Sequence, residues 1–492
     1  MYHPVDSEFQ ALAAKGDLVP VYFEMDAGSN SPVTVYQKVV AETAEGFLLE
    51  SVQGQERLAR YSFIGTDPYK IIRTESSDTV EQENPLAVLE TELGRFRVVQ
   101  SENLPRFTGG AVGYLGYECN GYFETSVSQA NPTEPEEMPL AMFMLVDTMV
   151  VFDHVRGKIQ IISHARIHED GKEAYKNAVD RINKLRNKIS QPLANPLPAL
   201  PSMDGISPSP DGFEANISQS DYYDMVNVAK RYIEAGDIIQ VVLSRKLRRK
   251  TTAKPFDIYR SLRANNPSPY NYYLEFKDFQ IIGASPELLV RVEEGQVTTH
   301  PIAGTRRRGV DEDDDLELEK ELAGDEKEIA EHIMLVDLGR NDIGRVSKLG
   351  SVQVTKFMEV ERYSHVMHLV SHVSGKIANN LTCFDAIRAC FPAGTVSGAP
   401  KIRAMEIIAE LEPDNRGPYA GAVGYFGFSG NMDTAITIRT IVMQDGVAYI
   451  QTGGGVVFDS TPEGEFKETL HKAGALFAAI KQAEIIDSDQ HS

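Results

Sequence analysis

The chain has 492 residues, of which 42% are hydrophobic and 24% charged, and its formal net charge is −22 at pH 7. This length suits two or three ordinary domains, and the composition is typical of a globular protein. The negative charge argues against nucleic acid as a partner, because phosphates need a basic surface. An anionic substrate would also meet an unfavourable field, so its site needs local positive charge or a metal ion.

The cysteines and the apolar runs predict the compartment. Cys119, Cys383 and Cys390 lack a CxxC or zinc-like spacing, and their odd number favours reduced thiols. The N-terminus has no signal-peptide pattern. The longest apolar run, residues 140–152, is interrupted by Asp147 and is too short to span a bilayer. We therefore expect a cytoplasmic protein that does not enter the membrane.

Residues 1–190 combine short strand-like runs with amphipathic helices. Predicted strands cover Gly46–Ser51, Leu140–Phe152 and Ile159–Ser163, and predicted helices cover Pro85–Leu93 and Gly171–Ile189. In residues 191–212 Pro and Ser become frequent and the apolar periodicity stops. This change predicts a linker between two regions.

The second region, residues 213–485, begins with a helix and then alternates strands and helices. The first helix covers Asp221–Ala235, with Ser220 as the predicted N-cap and Gly236 at its end. Predicted strands follow at Ile238–Lys246, Tyr272–Phe276, Leu288–Glu293 and Ala435–Val442, the last of which contains Arg439. Residues 486–492 are predicted to be a tail.

A glycine-rich sequence occurs twice. Residues 108–119 read TGGAVGYLGYEC and residues 419–429 read YAGAVGYFGFS. Glycines that alternate with large residues suit strands that another backbone crosses closely. Neither copy matches G-x-G-x-x-G and no GxxxxGK[ST] occurs, so a nucleotide-phosphate site is not supported. We expect the two copies to form facing strands in two lobes.

Two predicted helices each carry two glutamates three residues apart, Glu328 with Glu331 and Glu465 with Glu468. At this spacing both carboxylates lie on one helix face, about 5–6 Å apart. Mg²⁺ usually takes one or two protein carboxylates, so one glutamate from each helix would hold the ion and the other two would support the ligands. The alternative is two unconnected solvated faces, one with a Glu468–Lys472 ion pair.

Other segments offer anion contacts or proton transfer. Residues 451–455, QTGGG, form the end of a predicted strand whose glycine amides would allow close approach of a ligand, although a tight turn explains them too. Residues 391–401 lead into a helix that begins at Pro400, whose N-terminus would attract anions. In residues 363–374, a strand would separate His368 from His372 by about 13 Å, too far to share zinc. One such histidine could carry a proton, with a structural role as the alternative.

In combination, these segments resemble the chorismate-utilising enzymes, and among them the large subunits (component I) of anthranilate synthases. The similarity rests on AEHIMLVDLGRND, PIAGTR, HVMHLVS, GTVSGAPK, GAVGYFG and GEFKET, and it covers residues 215–485. The first region resembles that family's regulatory amino-terminal lobe through LLES and GGAVGYLGYE. The resemblance implies an α+β fold: two lobes whose antiparallel sheets pack face to face as a sandwich, with helices outside and the active site in the cleft.

The resemblance also assigns roles in the predicted catalytic region. Mg²⁺ would be held by Glu331 and Glu468, with Glu328 and Glu465 as supporting residues, and would bind the ring carboxylate of chorismate. Glu287 would be the general acid for the departing ring hydroxyl. His368, with Thr395 beside it, would assist the later proton removal and pyruvate loss. The remaining substrate contacts would be Gly304, Thr305, Tyr419, Arg439, Gly453, Gly454, Gly455 and Lys472.

Two positions predict which family reaction occurs. Water-adding members resemble this chain but carry a lysine base where it has Gln240, and an amide cannot deprotonate water. Aminodeoxychorismate synthases carry a lysine nucleophile where this chain has Ala303. Both positions favour ammonia addition and pyruvate elimination to give anthranilate for tryptophan biosynthesis. Alternatives are isochorismate or salicylate synthesis, an aminodeoxyisochorismate-forming enzyme, and a catalytically inactive tryptophan sensor.

The resemblance implies a partner and an inhibitor. No cysteine lies in a glutaminase-like nucleophile elbow, so a glutamine amidotransferase subunit (component II) is expected to supply ammonia. Ser51, Pro269, Tyr270 and Asn271 resemble the tryptophan inhibitory site of the family. The alternative is that Ser51 merely ends a strand.

Overall fold

The computed structural model describes residues 1–40, 45–51, 60–75, 84–101, 103–127, 138–167, 170–193, 195–362 and 366–490, without the side chains of residues 487–490. Within these ranges the chain combines helices with two antiparallel sheets. In the same ranges, no helix has both the length and the apolar character needed to cross a membrane.

The helices agree closely with the sequence periodicity. Their bounds are α1 Asp6–Ala13, α2 Pro32–Val40, α3 Pro85–Leu93, α4 Gly171–Ser190, α5 Gln219–Ala235, α6 Pro255–Asn265, α7 Glu312–Gly324, α8 Glu326–Gly344, α9 Cys383–Cys390, α10 Gly394–Ser397, α11 Lys401–Leu411 and α12 Pro462–Gln490. A 3-10 helix covers Tyr117–Tyr122.

Two helix ends differ from prediction. The N-cap of α5 is Ser218 rather than Ser220, because the Ser218 hydroxyl accepts from the amide of Asp221 while the Asp221 carboxylate accepts from the amide of Ser218. Pro400 is the N-cap of α11 rather than its first helical residue. At the other end of α5, Gly236 adopts φ +82°, as expected of a glycine that ends a helix.

The strands form two sheets. Their bounds are β1 Tyr2–His3, β2 Leu18–Asp26, β3 Gly46–Glu50, β4 Tyr61–Thr66, β5 Lys70–Thr74, β6 Gly110–Leu115, β7 Ala141–Val146, β8 Thr148–Asp153, β9 Lys158–Arg166, β10 Glu214–Ala215, β11 Gln240–Lys250, β12 Tyr270–Glu275, β13 Phe279–Ser285, β14 Leu288–Glu293, β15 Gln296–Thr299, β16 Ile302–Arg307, β17 Gln353–Arg362, β18 Val366–Lys376, β19 Gly398–Ala399, β20 Ala422–Gly427, β21 Met432–Ile436, β22 Thr440–Gln444 and β23 Val447–Val456.

The larger sheet has the strand order β1-β2-β9-β8-β4-β3-β12-β13-β22-β23-β11-β10, with β19 paired to β11. The smaller sheet has the order β16-β18-β15-β14-β21-β20-β6-β7-β5, with β17 paired to β18. Residues 363–365, which hold the first of the three predicted strand histidines, lie outside the described residues.

The two sheets pack face to face around an aromatic core. Phe47, Phe63 and Phe279 from the larger sheet are buried in one cluster with Tyr114 and Tyr425 from the smaller sheet. The helices pack on the outer faces, where α2, α4, α6 and α12 cover the larger sheet. The predicted α+β sandwich with outer helices is confirmed.

The two sequence regions share both sheets. The described residues of 191–212 form no helix or strand, as a linker requires, but strands from before and after them pair directly. In the larger sheet β3 pairs with β12, and in the smaller sheet β6 pairs with β20. The boundaries 1–190 and 213–485 stay predictions about the sequence, and α12 continues to Gln490 through most of the predicted tail.

The two glycine-rich copies are neighbours in one sheet, so the expectation of strands facing each other across two lobes was wrong. β6 and β20 run antiparallel, and Gly113 lies directly opposite Gly424. A Cβ built on Gly113 would lie 1.9 Å from the carbonyl oxygen of Met142. The repeated glycines therefore allow close backbone packing inside one sheet.

Two predicted strands each divide into two strands that belong to different sheets. The run 140–152 breaks at Asp147 into β7 of the smaller sheet and β8 of the larger sheet. The run 435–442 breaks after Ile436, and the chain crosses from β21 of the smaller sheet to β22 of the larger sheet. Arg439 lies in this crossing with φ +52°, rather than inside a strand.

Candidate active site

The glycine run belongs to β23, where one edge of the strand is left uncovered. β11 pairs with the whole strand, whereas β22 pairs only with residues 447–450. No other strand of the described residues takes the place of β22 beside Gly453–Gly455. This part of β23 therefore offers backbone groups to a ligand.

The hydrogen bonds of β11 show which glycines face that edge. The carbonyl of Val242 accepts from Arg416, and the amide of Ser244 donates to Glu412, so both groups point away from β23. The alternation of an antiparallel ladder then pairs Leu243 with Gly454 and turns Gly453 and Gly455 outward. Gly454 was predicted to contact a ligand through its amide, but in this register the amide of Gly454 faces Leu243 of β11 instead.

Side chains predicted for the site surround the three glycines. A Cβ on Gly453 would lie 2.7 Å from the hydroxyl oxygen of Tyr419, and one on Gly454 would lie 2.6 Å from Oε2 of Glu465. A Cβ on Gly455 would lie 2.6 Å from Nε2 of Gln240. The three glycines, which have no side chains, therefore leave room for these polar groups to converge.

Lys472 of α12 lies at the centre of the predicted carboxylates. Its Nζ donates to the carbonyl oxygen of Gly453 at 3.1 Å and lies 3.6 Å from Oε1 of Glu468. Burial raises the pKa of both Glu331 and Glu465, and the positive charge of Lys472 partly offsets the rise. Helices α8 and α12 thus bring their glutamates to one cation, which rules out two unconnected surface faces.

The predicted supporting glutamates have fixed partners. Glu465 Oε1 accepts from the Ser460 hydroxyl at 2.7 Å. Glu328 Oε1 accepts from Nη1 of Arg306 at 3.2 Å, and its Oε2 lies 3.2 Å from the place of a Cβ on Gly304. Gly304 adopts φ +66°, a conformation that favours glycine. These contacts orient both side chains next to the metal-ligand candidates.

Arg439 lies on the same side of β23. Its Nη1 donates to the carbonyl oxygen of Lys472 at 2.7 Å. Burial lowers the pKa of Arg439, and the neighbouring Glu468 and Tyr419 counteract this effect. The guanidinium remains charged and lies close to both of these predicted site residues.

Gln240 is buried at the start of β11, and the oxygen of its side-chain amide is not used by the described residues. A hydrogen bond from Gln240 helps to hold down the pKa of Glu331. Its Oε1 is buried and has no hydrogen-bond partner among the described residues. Buried acceptors are nearly always paired, so this oxygen is suited to an N–H donor of a ligand.

Glu287, at the end of the β13–β14 turn, is positioned to be an acid. Burial raises its pKa to about 8, although Thr395 and Lys472 both act to lower it. At neutral pH this carboxyl is therefore mostly protonated and can donate. Glu287 and Thr395 line the same cavity.

His368 of β18 has the properties of a base. Its Nδ1 lies 3.0 Å from the carbonyl oxygen of Gly304 and 3.0 Å from the hydroxyl of Thr305. Donation from Nδ1 to the carbonyl makes Nε2 the basic nitrogen of the neutral ring. Burial lowers the pKa of His368, so the ring is neutral at pH 7. The hydroxyl bonded to His368 is thus that of Thr305, and Thr395 instead lies beside Glu287.

The carboxylates fit a cation that needs further ligands from elsewhere. Among the described residues, no three His, Cys, Asp or Glu side chains lie close enough together to hold a metal ion by themselves. Glu331 and Glu468 would provide the one or two carboxylate ligands that Mg²⁺ usually takes from protein, and its other ligands would come from water or substrate. The raised pKa of Glu331 also reflects repulsion from Glu328, which a bound cation would relieve.

Lys327 belongs to this site although its sequence position did not point to it. Its positive charge acts to lower the pKa of both Glu331 and Glu465. Glu331 lies four residues later on the same helix, and this spacing was the available signal. Lys401, in contrast, pairs with Asp342 at 2.7 Å and does not contribute a free cation to an anion site.

The residues predicted for the inhibitor site line a second cavity. Ser51, Pro269, Tyr270 and Asn271 all contact it. Glu50 of β3 pairs with Asn271 of β12, so both sequence regions contribute to its wall, as predicted. The roles of the residues in both cavities stay predictions.

Comparison with known proteins gives the family. A model of chorismate binding enzymes matches residues 45–478. Anthranilate synthase component 1 of Acetivibrio thermocellus is 46% identical over 496 residues, covering 98% of this chain and 99% of that protein. The protein of the same name from Pseudomonas aeruginosa is 47% identical over 489 residues, covering 97% and 98%.

Solved structures agree with these similarities. Anthranilate synthase component I from Streptococcus pneumoniae TIGR4 superposes with a TM-score of 0.75 at 39% identity, covering 92% of this chain and 99% of that chain. MenF, the menaquinone-specific isochorismate synthase from Escherichia coli, has a TM-score of 0.70 at 17% identity, covering 96% and 98%, a likeness of fold alone. With its fold, its site and the similarity over nearly all its length, the chain belongs to the family of chorismate-binding enzymes.

Proposed function

We propose that this protein converts chorismate and ammonia to anthranilate, pyruvate and water, as the large subunit of a Mg²⁺-dependent anthranilate synthase. The observation that carries this proposal is the group around Lys472, which unites the acid Glu287, the carboxylates Glu331 and Glu468 and the glycine edge of β23. Such an arrangement suits a dianionic substrate in a protein of net charge −22.

Substrate binding would use the metal and the fixed cations. Glu331 and Glu468 would hold Mg²⁺, which, when bound, neutralises the ring carboxylate and fixes its position. Lys472 would lie close to the same carboxylate. Arg439, Tyr419 and the outward amides of Gly453 and Gly455 would hold the enolpyruvyl side chain.

In the first step, ammonia would attack the ring carbon next to the carboxylate-bearing carbon. The ring double bonds shift, the bond from carbon to the departing hydroxyl breaks, and the Glu287 carboxyl proton converts that hydroxyl to water. The new ammonium group then returns one proton to the Glu287 carboxylate, so Glu287 ends the step in the same protonation state in which it began. The orphan oxygen of Gln240 would accept a hydrogen bond from ammonia without removing a proton.

In the second step, His368 would take the proton from the ring carbon that bears the new amine. The ether bond breaks, the ring becomes aromatic, and the released enolpyruvate is protonated to pyruvate. The neutral state of the imidazole and the orientation set by Gly304 support this role. Thr305 would steady the ring of His368.

Two further parts of the proposal concern partners. A glutamine amidotransferase subunit would supply ammonia, with free ammonia as the fallback. Removing that subunit should abolish glutamine-dependent turnover but not ammonia-dependent turnover. Loss of both activities would contradict the proposed partner.

Tryptophan would bind in the cavity at Ser51 and Asn271 and inhibit the reaction. Unchanged inhibition by tryptophan in Ser51→Phe would contradict this site.

Product fluorescence tests the proposal. The protein is incubated with chorismate, Mg²⁺ and ammonium, and the blue emission of anthranilate is followed. We expect emission that depends on all three components. A salicylate-like product without nitrogen would contradict ammonia addition, and an amino-dienol product would limit the reaction to the first step.

A further inference from the structure

The edge of β11 that faces away from β23 is covered by strands only at two short stretches. β19 pairs with Gln240 and Val241, and β10 pairs with Leu247 and Arg248. Between these pairings, no strand of the described residues covers residues 242–246. The opposite edge of the same stretch pairs with the glycine run of β23. Buried backbone groups at such a gap need partners from outside the sheet.

A buried ion pair fills this gap. Glu412, at the end of α11, accepts from the amide of Ser244 at 2.6 Å, and Nη2 of Arg416 donates to the carbonyl oxygen of Val242 at 2.7 Å. Arg416 also binds both carboxylate oxygens of Glu412, from Nε at 2.8 Å and from Nη2 at 2.7 Å. The side chains of Arg416 and Glu412 are only 1% and 4% exposed. The pair therefore holds β11 where a neighbouring strand would otherwise do so.

Arg416 has further contacts next to two predicted site residues. Its Nη1 donates to the carbonyl oxygen of Val396 in α10 at 2.7 Å. Val396 directly follows Thr395, which lies beside Glu287. On another side, Cζ of Arg416 lies 5.6 Å from the ring centre of Tyr419, whose hydroxyl lies close to Gly453. One guanidinium thus contacts the surroundings of both the acid and the glycine edge.

The position of Arg416 is itself fixed at its backbone. The amides of Arg416 and Gly417 donate to the two carboxylate oxygens of Glu118, at 2.5 Å and 3.0 Å. The attraction of Glu412 outweighs the effect of burial and raises the pKa of Arg416, so the guanidinium stays charged. Arg416 is therefore a rigid centre to which other elements are attached.

We infer that Arg416 is a positioning residue of the active site, which holds Thr395, Tyr419 and the glycine edge of β23 in a fixed relation to one another. This inference rests on the proposed function, because Arg416 acts only through groups that would meet the substrate. A planar guanidinium can bind a carboxylate and two carbonyl oxygens at once, whereas the three N–H groups of an ammonium diverge from one nitrogen. Misplacement of a reacting group by about 1 Å costs roughly 10²-fold in rate.

The pH profile of anthranilate formation tests whether Arg416 acts through Thr395. Arg416→Lys keeps the positive charge but should lose the hydrogen bond to Val396, so that α10 and Thr395 shift. Thr395 acts to lower the pKa of Glu287, so the alkaline limb of kcat/KM should move to higher pH. A shift of roughly half a pH unit to one unit is the effect of one ordinary hydrogen bond. We expect kcat to fall by roughly 10- to 100-fold.

Two further variants sharpen this test. The double variant with Arg416→Lys and Thr395→Val should shift the limb no further than Thr395→Val alone. Glu412→Gln removes the charge of the partner and keeps an oxygen for the amide of Ser244. Loss of a negative charge would by itself lower the pKa of Glu287, so a shift to higher pH in Glu412→Gln reports the moved contact. Glu412→Gln also serves as the test if circular dichroism shows that Arg416→Lys does not fold.

Arg403→Lys is the matched control. Arg403 lies in α11, pairs with Glu406 and with Asp237 at 2.9 Å each, and lies 5.1 Å from the ring centre of Tyr232. It thus has the same kinds of partner as Arg416, but none of these partners is a predicted site residue. The rate and the alkaline limb of Arg403→Lys should match those of the wild type.

Three results would contradict the inference in distinguishable ways. An unmoved limb in the folded variants, with the rate lowered by one factor at every pH, would mean that Arg416 only stabilises the fold. A shift in the double variant equal to the sum of the two single shifts would mean that Arg416 does not act through Thr395. A wild type that forms no anthranilate would overturn the proposed function, and this inference with it.

Discussion

At the scale of single residues, the candidate site contains more carboxylates than cations. Lys472 influences Glu287, Glu331 and Glu465 and also contacts Glu468. Lys327 and Arg439 add positive charge, yet burial still raises the pKa of Glu287, Glu331 and Glu465, which favours protonation of these groups or binding of a metal ion. Burial raises the pKa of Glu287 to about 8, so this carboxyl is mostly protonated near neutral pH.

Replacement of Glu287 tests the acid. Glu287→Gln keeps the shape but removes the proton donor, so kcat should fall by roughly 10²- to 10⁴-fold, the usual contribution of general acid catalysis. The rate of anthranilate formation with ammonium measures this. Glu234→Gln, at an exposed position of α5, is the matched control and should retain full activity. Equal rates of anthranilate formation for both variants would show that Glu287 is not the general acid.

The pH profile tests the same group without removing it. Since the acid form of Glu287 is lost as pH rises through about 8, the rate should fall above this pH. Thr395 acts to lower that pKa, so Thr395→Val should move the alkaline limb to higher pH. Profiles of kcat/KM for chorismate measure the shift. A limb that stays in place, or that moves to lower pH, would contradict the assignment.

Replacement of His368 tests the division into two steps. His368→Asn keeps a polar side chain but lacks a base, so chorismate should still be consumed while pyruvate release slows by roughly 10²-fold or more. Mass spectrometry of the mixture should detect an accumulating amino-dienol. His372→Asn, four residues along the same strand, serves for comparison. Anthranilate formation at the wild-type rate by His368→Asn would exclude the histidine as the base.

At the scale of elements, the repeated glycines decide how strands approach one another. In β6, Gly113 is paired on both sides, by β7 and by β20, and a side chain there would meet the backbone of Met142. Backbone cannot yield as a flexible side chain can. The glycine is therefore needed for the sheet itself.

A stability measurement tests this. Gly113→Ala should lower the free energy of unfolding by about 1–3 kcal/mol or more, the cost of overpacking a rigid core. Gly324→Ala is the matched control, because a Cβ there would meet no atom within 4 Å. Urea denaturation followed by circular dichroism measures both. If the two variants unfold at the same urea concentration, the close approach of β6 to β7 is wrong.

Local periodicity predicted most elements, because it depends on neighbouring residues. Leu288–Glu293 and Pro85–Leu93 have the predicted bounds. What local pattern could not predict was the sheet that each strand joins. The runs 140–152 and 435–442 look continuous in apolar character, yet each crosses between sheets at a polar residue, Asp147 or Arg439. Such crossings depend on pairing with strands far along the chain.

The candidate site was predictable in its residues and less so in its contacts. The spacing of Glu328 and Glu331 predicted one helix face, and α8 presents them together. The neighbours of Thr395 and Thr305 could not be predicted, because Thr305 meets His368 through the pairing of β16 with β18 and Thr395 of α10 meets Glu287 between β13 and β14. Lys327 was missed although it precedes Glu331 by four residues, and only its effect on Glu465 of α12 depends on a residue distant in sequence.

At the scale of the whole molecule, both sheets and both sequence regions build one body. The candidate active site uses β11 and β23 of the larger sheet with β16 and β18 of the smaller sheet, and the cavity lined by Ser51 and Asn271 lies between the same two sheets. A net charge of −22 opposes a dianion everywhere except near the local cations. The proposed function therefore depends on a divalent ion, which Glu331 and Glu468 would hold close to the ring carboxylate of the substrate.

Chorismate consumption after metal removal tests this dependence most directly. Protein dialysed against EDTA should not consume chorismate with ammonium, and added Mg²⁺ should restore anthranilate formation in the wild type but not in Glu331→Gln at the same Mg²⁺ concentration. Chorismate consumption by the EDTA-dialysed protein at the full Mg²⁺-supported rate would contradict the account.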